Sequence, residues 1–247
     1  MPKIDLISLR SRDPEAQRGF YGDVLGMQDT GHGTMGYGGA EARLAFPQAN
    51  GAYRPGKTDL YWKIALAVPD LDLAREQLLA RDVDVGPARQ FLDVGYLAHL
   101  TDPEGFTIEL IQHWFDGNRP AAPVDSSRLG GGASLNLLTL RAAEISEIQA
   151  LCQRLGMTPL SIQPIDDYGF TLYFFAFTED RPPNSDLHAV DNREWLYQRP
   201  YTVLEIQHLH DATDIAPTSG EQAGYAGVAF SGLQIEEPEA GRLIGAR

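Results

Sequence analysis

The sequence predicts an α+β chain in which one strand–helix–three-strand (βαβββ) unit is used repeatedly, arranged as two domains. Three observations lead to this. A strand-like run that ends in a helix-start pair occurs at 4–12 with Asp13-Pro14 and again at 62–68 with Pro69-Asp70. The tripeptide Leu-Gly-Met closes two helical stretches, at 25–27 and at 155–157. Between them, residues 117–132 include Arg119-Pro120-Ala121-Ala122 and Gly130-Gly131-Gly132, a composition suited to a linker.

The first unit opens with the strand 4–12. Asp13 caps the following helix, Pro14 occupies a first-turn position whose N–H has no helical partner, and Gly26 ends the helix after Leu25. Short β-like runs at 28–38 and 42–47 complete it. In the second unit a strand at 62–68 leads through Asp70 into a helix over 71–81, a short strand near 88–92 and a hairpin over 95–112. The hairpin turns at Asp102-Pro103-Glu104-Gly105, four residues of the usual turn-forming kind. A third unit runs from a strand at 134–141 through a helix at 144–155, stopped by Gly156, to strands at 160–164, 170–177 and 202–209. A last strand at 224–232 leaves no room for the rest of a fourth unit. The expected domains are 1–116 with two units, a linker at 117–132, and 133–247 with one full unit and an incomplete one.

The chain has 247 residues, 43% of them hydrophobic, and a net charge of −14 from 20 Lys+Arg against 34 Asp+Glu. Its cations are scattered singly among acids, which argues against nucleic acid or an anionic membrane surface as partner. No apolar run approaches the roughly 18–20 residues of a membrane helix. Charges within Met1-Pro2-Lys3-Ile4-Asp5 break any signal-peptide core, so a cytoplasmic location is expected. Cys152 is the single cysteine, so neither an intrachain disulfide nor a cysteine zinc cage can form. It lies on the helical stripe Ile145, Ile148, Leu151 and Leu155 and reads as a buried structural thiol.

Two segments carry a family resemblance: Phe20-Tyr21-Gly22-Asp23-Val24-Leu25-Gly26-Met27 after Asp13-Pro14, and Asp102-Pro103-Glu104-Gly105-Phe106-Thr107-Ile108-Glu109-Leu110. They resemble the hallmark segments of the vicinal oxygen chelate superfamily, which includes glyoxalase I, bleomycin-resistance proteins, fosfomycin-resistance enzymes and extradiol dioxygenases. The runs 170–177 and 202–208 are similar to the matching strands of glyoxalase I. The resemblance implies cup-shaped mixed sheets, each cup made of two modules. It also implies a divalent metal, with one ligand near the start of each first strand and one near the end of each fourth.

Those positions fall on Leu6, Ala45, Lys63 and Glu109 in the first half and on Leu137, Glu205 and Tyr225 in the second. This is too few ligands for a metal site, so no cofactor is expected, and Lys63 is expected to pair with Glu109 instead. If the register slips, the fallback ligands are Glu109, Glu205, His208 and His210, although strand parity puts the two histidines on the face opposite Glu205 and Gln207. His99 faces Glu109 or turns away, depending on the hairpin register. The expected ligand-binding residues are Arg141, Leu172, Phe174, Glu205, Gln207 and Tyr225; Arg141 either clamps an anionic ligand end or pairs with Glu205. No catalytic residue is assigned. The reading is a protein that binds a small molecule in a cup without a complete metal site. The alternative is a metal-dependent glyoxalase-like lyase or extradiol-dioxygenase-like enzyme. Because the third unit would leave a sheet face and edge open, a homodimer is expected to cover it.

Overall fold

The computed structural model describes residues 2–117, 123–216 and 221–233. The first unit is β1 (Lys3–Arg10), α1 (Pro14–Gly19), β2 (Gln28–Asp29), β3 (Thr34–Gly36) and β4 (Arg43–Ala45). The second is β5 (Tyr61–Val68), α2 (Leu71–Leu79), β6 (Arg89–Phe91), β7 (Gly95–Thr101) and β8 (Thr107–Gln112). The third is β9 (Ser134–Ala142), α3 (Ile145–Arg154), β10 (Thr158–Ile165), β11 (Phe170–Ala176) and β12 (Val203–Leu209), with α4 (Asn192–Tyr197) inserted before its last strand. β13 (Gly224–Ser231) follows. The caps act as their chemistry dictates: Asp13 accepts from the Ala16 N–H and Asp70 from the Leu73 N–H, each supplying an acceptor to an orphan donor of the first turn. Past Gly19 the first helix widens into a π-type turn over Phe20–Val24.

The fold is α+β with curled mixed sheets, as expected, but the units pair differently. An eight-stranded sheet runs β10-β11-β12-β9-β5-β8-β7-β6, and a five-stranded sheet runs β13-β1-β4-β3-β2. The second unit therefore pairs with the third across an antiparallel β5–β9 seam, and the first pairs with β13. Both sheets draw strands from either side of 117–132, so they do not follow the division at 1–116 and 133–247. The reason lies in the edges. Within each unit the first strand pairs with the fourth on one side only, and its other edge must find a partner. β5 and β9 satisfy one another. The open edge that argued for a second chain is thus covered within this one. The Gly-rich stretch is also anchored: Leu129–Gly131 makes a short 3-10 turn whose Gly130 N–H donates to Gln77 and whose carbonyl accepts from the Asp70 N–H. A Cβ on Gly130 would come within 2.8 Å of the Asp70 carbonyl oxygen, which leaves no room there for a side chain.

Alternation along the seam strands divides the interior. Ile64, Leu66 and Val68 of β5, with Leu138 and Leu140 of β9, face the main core below the helices. Ala65, Ala67 and Leu137 face the concave side. Cys152 packs in the main core, where burial pushes its thiol up to about 12. The segment between β11 and β12 closes the concave sheet at one end. The guanidinium of Arg193, wholly buried, donates to the Asp93 carbonyl and to Ser161 Oγ, and Tyr197 Oη donates to the Val94 carbonyl. Second and third units are tied there a second time.

The two hallmark segments meet in space. Glu104 accepts from Ser11 Oγ at 2.8 Å, from the Arg12 and Tyr53 N–H groups and from Arg12 Nε. Asp102 accepts from three turn N–H groups, from Gln17 and from Tyr21 Oη. Glu104→Ala would orphan several donors at once, so we expect a loss of about 2–4 kcal/mol in urea unfolding, against under about 1 kcal/mol for Arg12→Ala, whose side chain is half exposed. His113, beyond β8, is held neutral because burial lowers it to about 4. The unfolded chain binds its proton near 6.5, so His113 costs stability as pH falls from 6.5 to 4. That slope, worth up to about 3 kcal/mol, should be absent from His113→Gln in pH-dependent unfolding.

Candidate functional site

The concave face of the eight-stranded sheet holds a cavity of about 240 Å³. Every second residue of its strands points inward. β5 contributes Lys63, β7 Leu97 and His99, and β8 Glu109 and Ile111; β11 contributes Leu172 and Phe174, and β12 Glu205 and Gln207. Trp62 lines the cavity as well, next to its neighbour Lys63. Normal alternation would forbid this, but the β5–β9 register shifts between Tyr61 and Lys63. The mouth is aromatic: Phe91 of β6 and Tyr168, from the turn before β11, meet edge to face with ring centroids 5.2 Å apart. This contact joins the two far ends of the sheet.

The floor is a buried charge cluster. Lys63 Nζ lies 2.8 Å from Glu109 Oε1 and 3.3 Å from Glu205 Oε2. Thr139 Oγ1 donates to the same Glu205 oxygen at 2.7 Å, and His99 Nε2 lies 3.0 Å from Glu109 Oε2. All follow from registry: Lys63 is opposite Thr139 across the seam, Thr139 is beside Glu205, and His99 is opposite Glu109. Burial by itself would raise Glu109, but the Lys63 ammonium and His99 overcome it and hold the carboxyl at about 2. For Lys63 burial favours the neutral amine, yet two carboxylates within reach leave its pKa raised. Glu205 is raised too: burial and the Glu109 charge outweigh the shared ammonium.

The expected site residues divide accordingly. Leu172, Phe174, Glu205 and Gln207 line the cavity. Arg141 lies outside the lining and does not pair with Glu205; its Nε donates to Gln207 Oε1, its Nη1 to the Gly56 carbonyl, and its guanidinium sits 4.5 Å over Trp62. Tyr225 is in the other sheet, fully buried and stacked on Tyr61, because β13 pairs with β1. His208 and His210 point away from the cavity as parity requires, with His210 Nε2 3.0 Å from Thr171 Oγ1. The sequence reading passed over Trp62, Phe91, Tyr168 and Tyr197.

The donor set does not suit a divalent metal. Two carboxylates converge, but the point between them is taken by an ammonium that has no lone pair to offer while protonated. Among the described residues no three His, Cys, Asp or Glu side chains are grouped to hold a metal ion.

Residues 3–110 match the family model described as Glyoxalase/Bleomycin resistance protein/Dioxygenase superfamily. The match covers nearly all of the first two units, which therefore resemble that superfamily. Glyoxalase I from Zea mays superposes with a TM-score of 0.60 at 18% identity, covering 93% of this chain and 74% of that one. A mutant of the same enzyme reaches 0.64 at 17% identity, covering 93% and 75%. A putative dioxygenase from Bacillus subtilis subsp. subtilis strain 168 gives 0.57 at 14% identity, covering 92% and 69%. At such identities the likeness is one of fold. A comparison with curated protein sequences finds no match. Among the described residues no helix is long and apolar enough to cross a membrane.

Removing the ammonium leaves two buried carboxylates facing one another. Lys63→Met is expected to cost about 3–5 kcal/mol in denaturant unfolding, and the triple variant Lys63→Met/Glu109→Gln/Glu205→Gln to recover most of that loss.

Proposed function

We propose that this protein binds a small, largely apolar molecule in the cup formed by its second and third units, and does so without a divalent metal. The observation that supports this reading is the position of Lys63 Nζ, within 3.3 Å of both glutamates on the cup floor. It supplies positive charge where the fold family places a metal. Above it the cavity wall is built from Phe174, Leu172, Leu97, Ile111 and Tyr197, which favour a ligand that gains by leaving water. The cup thus keeps the shape of a ligand site, with both floor carboxylates already partnered by Lys63.

Protein purified without chelator tests the reading through elemental analysis and thermal shift with Ni, Zn, Fe and Mn. We expect no stoichiometric metal and no metal-dependent rise in Tm. One bound equivalent with a raised Tm would overturn it. Lys63→His is the positive control: it places a neutral imidazole beside Glu109 and Glu205, a nitrogen-and-two-carboxylate set of the kind zinc accepts, and should gain a metal-dependent Tm shift.

A further inference from the structure

The acidity of the whole chain suggests a cationic ligand, but the charges inside the cup are arranged the other way. On the floor one ammonium is shared by two carboxylates, Glu109 also having His99 and Glu205 also having Thr139 as a partner. Arg89 is the remaining formally charged residue of the lining. It shares the inner face of the edge strand β6 with Phe91, paired with Leu97 of β7. Among the described residues it has no ion pair, and neither Asp166 nor Asp167, on the turn that carries Tyr168, forms one with it. An entering molecule therefore meets two carboxylates around one ammonium at the floor, aromatic rings on the wall and mouth, and one cation without a counter-ion at the rim.

Resting on the binding reading above, we infer that the cup selects an aromatic carboxylate, its ring seated among Trp62, Phe174 and the Phe91–Tyr168 pair and its carboxylate held outward by Arg89. The polarity of binding follows from the two ends of the cavity. A carboxylate driven to the floor would sit beside Glu109 and Glu205, where like charges in a dry site repel strongly. At the rim it stays partly hydrated and finds a guanidinium fork that matches its geometry. A ring placed outward would forfeit the apolar wall. An ammonium ligand would meet Lys63 already seated between the two floor carboxylates and Arg89 at the rim.

Three probes that share one ring system separate the possibilities: 2-naphthoate, 2-naphthalenemethanol and 2-naphthylmethylamine, titrated calorimetrically near neutral pH into the full chain. The carboxylate is expected to bind about tenfold more tightly than the alcohol, the scale of one charge-assisted hydrogen-bonded contact at a wet rim, with the amine weakest. The carboxylate-to-alcohol ratio should fall towards one in Arg89→Gln, be largely restored in Arg89→Lys, and shrink in high salt. Binding of the alcohol or amine as tightly as the carboxylate, or a ratio unmoved by Arg89→Gln, would overturn the charge preference while leaving a ligand-binding cup. Failure of all three to bind would overturn the binding reading itself, and this inference with it.

Discussion

An ammonium held between two buried carboxylates sets the geometry of this molecule's centre. Lys63 is on β5, Glu109 on the parallel neighbour β8, and Glu205 on β12 across the seam. The three come together only if β5 and β9 pair in the observed register, since a slip of one residue would turn Thr139 and Glu205 to the other face relative to Lys63 and leave Glu205 without the cation it shares with Glu109. Replacing such a cluster with apolar side chains costs little in many proteins, so its presence is not explained by stability alone. Its specific effect is on alignment: Ala, Leu and Ile fill nine of the 17 positions of β5 and β9, and such similar side chains allow pairing in several registers. The charge cluster penalises the wrong ones.

Much of the local structure was legible in the sequence because it depends on local chemistry. The Asp caps, the Gly stops, the Asp102–Gly105 turn and the βαβββ repeat all arise from a few neighbouring residues. The Lys63–Glu109 pair was legible by parity within one unit. The association of units was not, since every first strand offers the same kind of open edge and the choice between β9 and a second chain is made by the whole fold. Tyr225 was misplaced for that reason: β13 completes the sheet of the first unit. Trp62 was missed because a bulge breaks the alternation from which inward positions are read. The stretch 178–201 carries no periodic pattern long enough to mark α4, yet its Arg193 and Tyr197 close the cup by contacts to residues about a hundred positions away.

Arg141 shows how a residue outside the cavity lining can act on the residues that form it. A guanidinium facing inward on β9 has the reach to meet a ligand. Here its donors are directed to Gln207 and to the loop carbonyls of Gly56 and Asp59, and its face rests on Trp62. It orients two residues that do line the cavity, and its own charge is spent on the loop that precedes β5.

The consequence for ligand chemistry is that net charge and local charge point in opposite directions. A chain at −14 sets up a long-range field that favours cations, but at physiological ionic strength that field decays over about 8 Å. Within the cup the nearest charges dominate, and those are two carboxylates held around Lys63. Selection then falls to desolvation and to whichever group lacks a partner. An apolar ring loses water to Phe174 and its neighbours, while both floor carboxylates keep Lys63 as their partner. Had the floor kept two unpaired carboxylates, the same cavity would require a cation from every ligand. The lysine therefore supplies from within the chain the cation that two buried carboxylates would otherwise draw from a ligand.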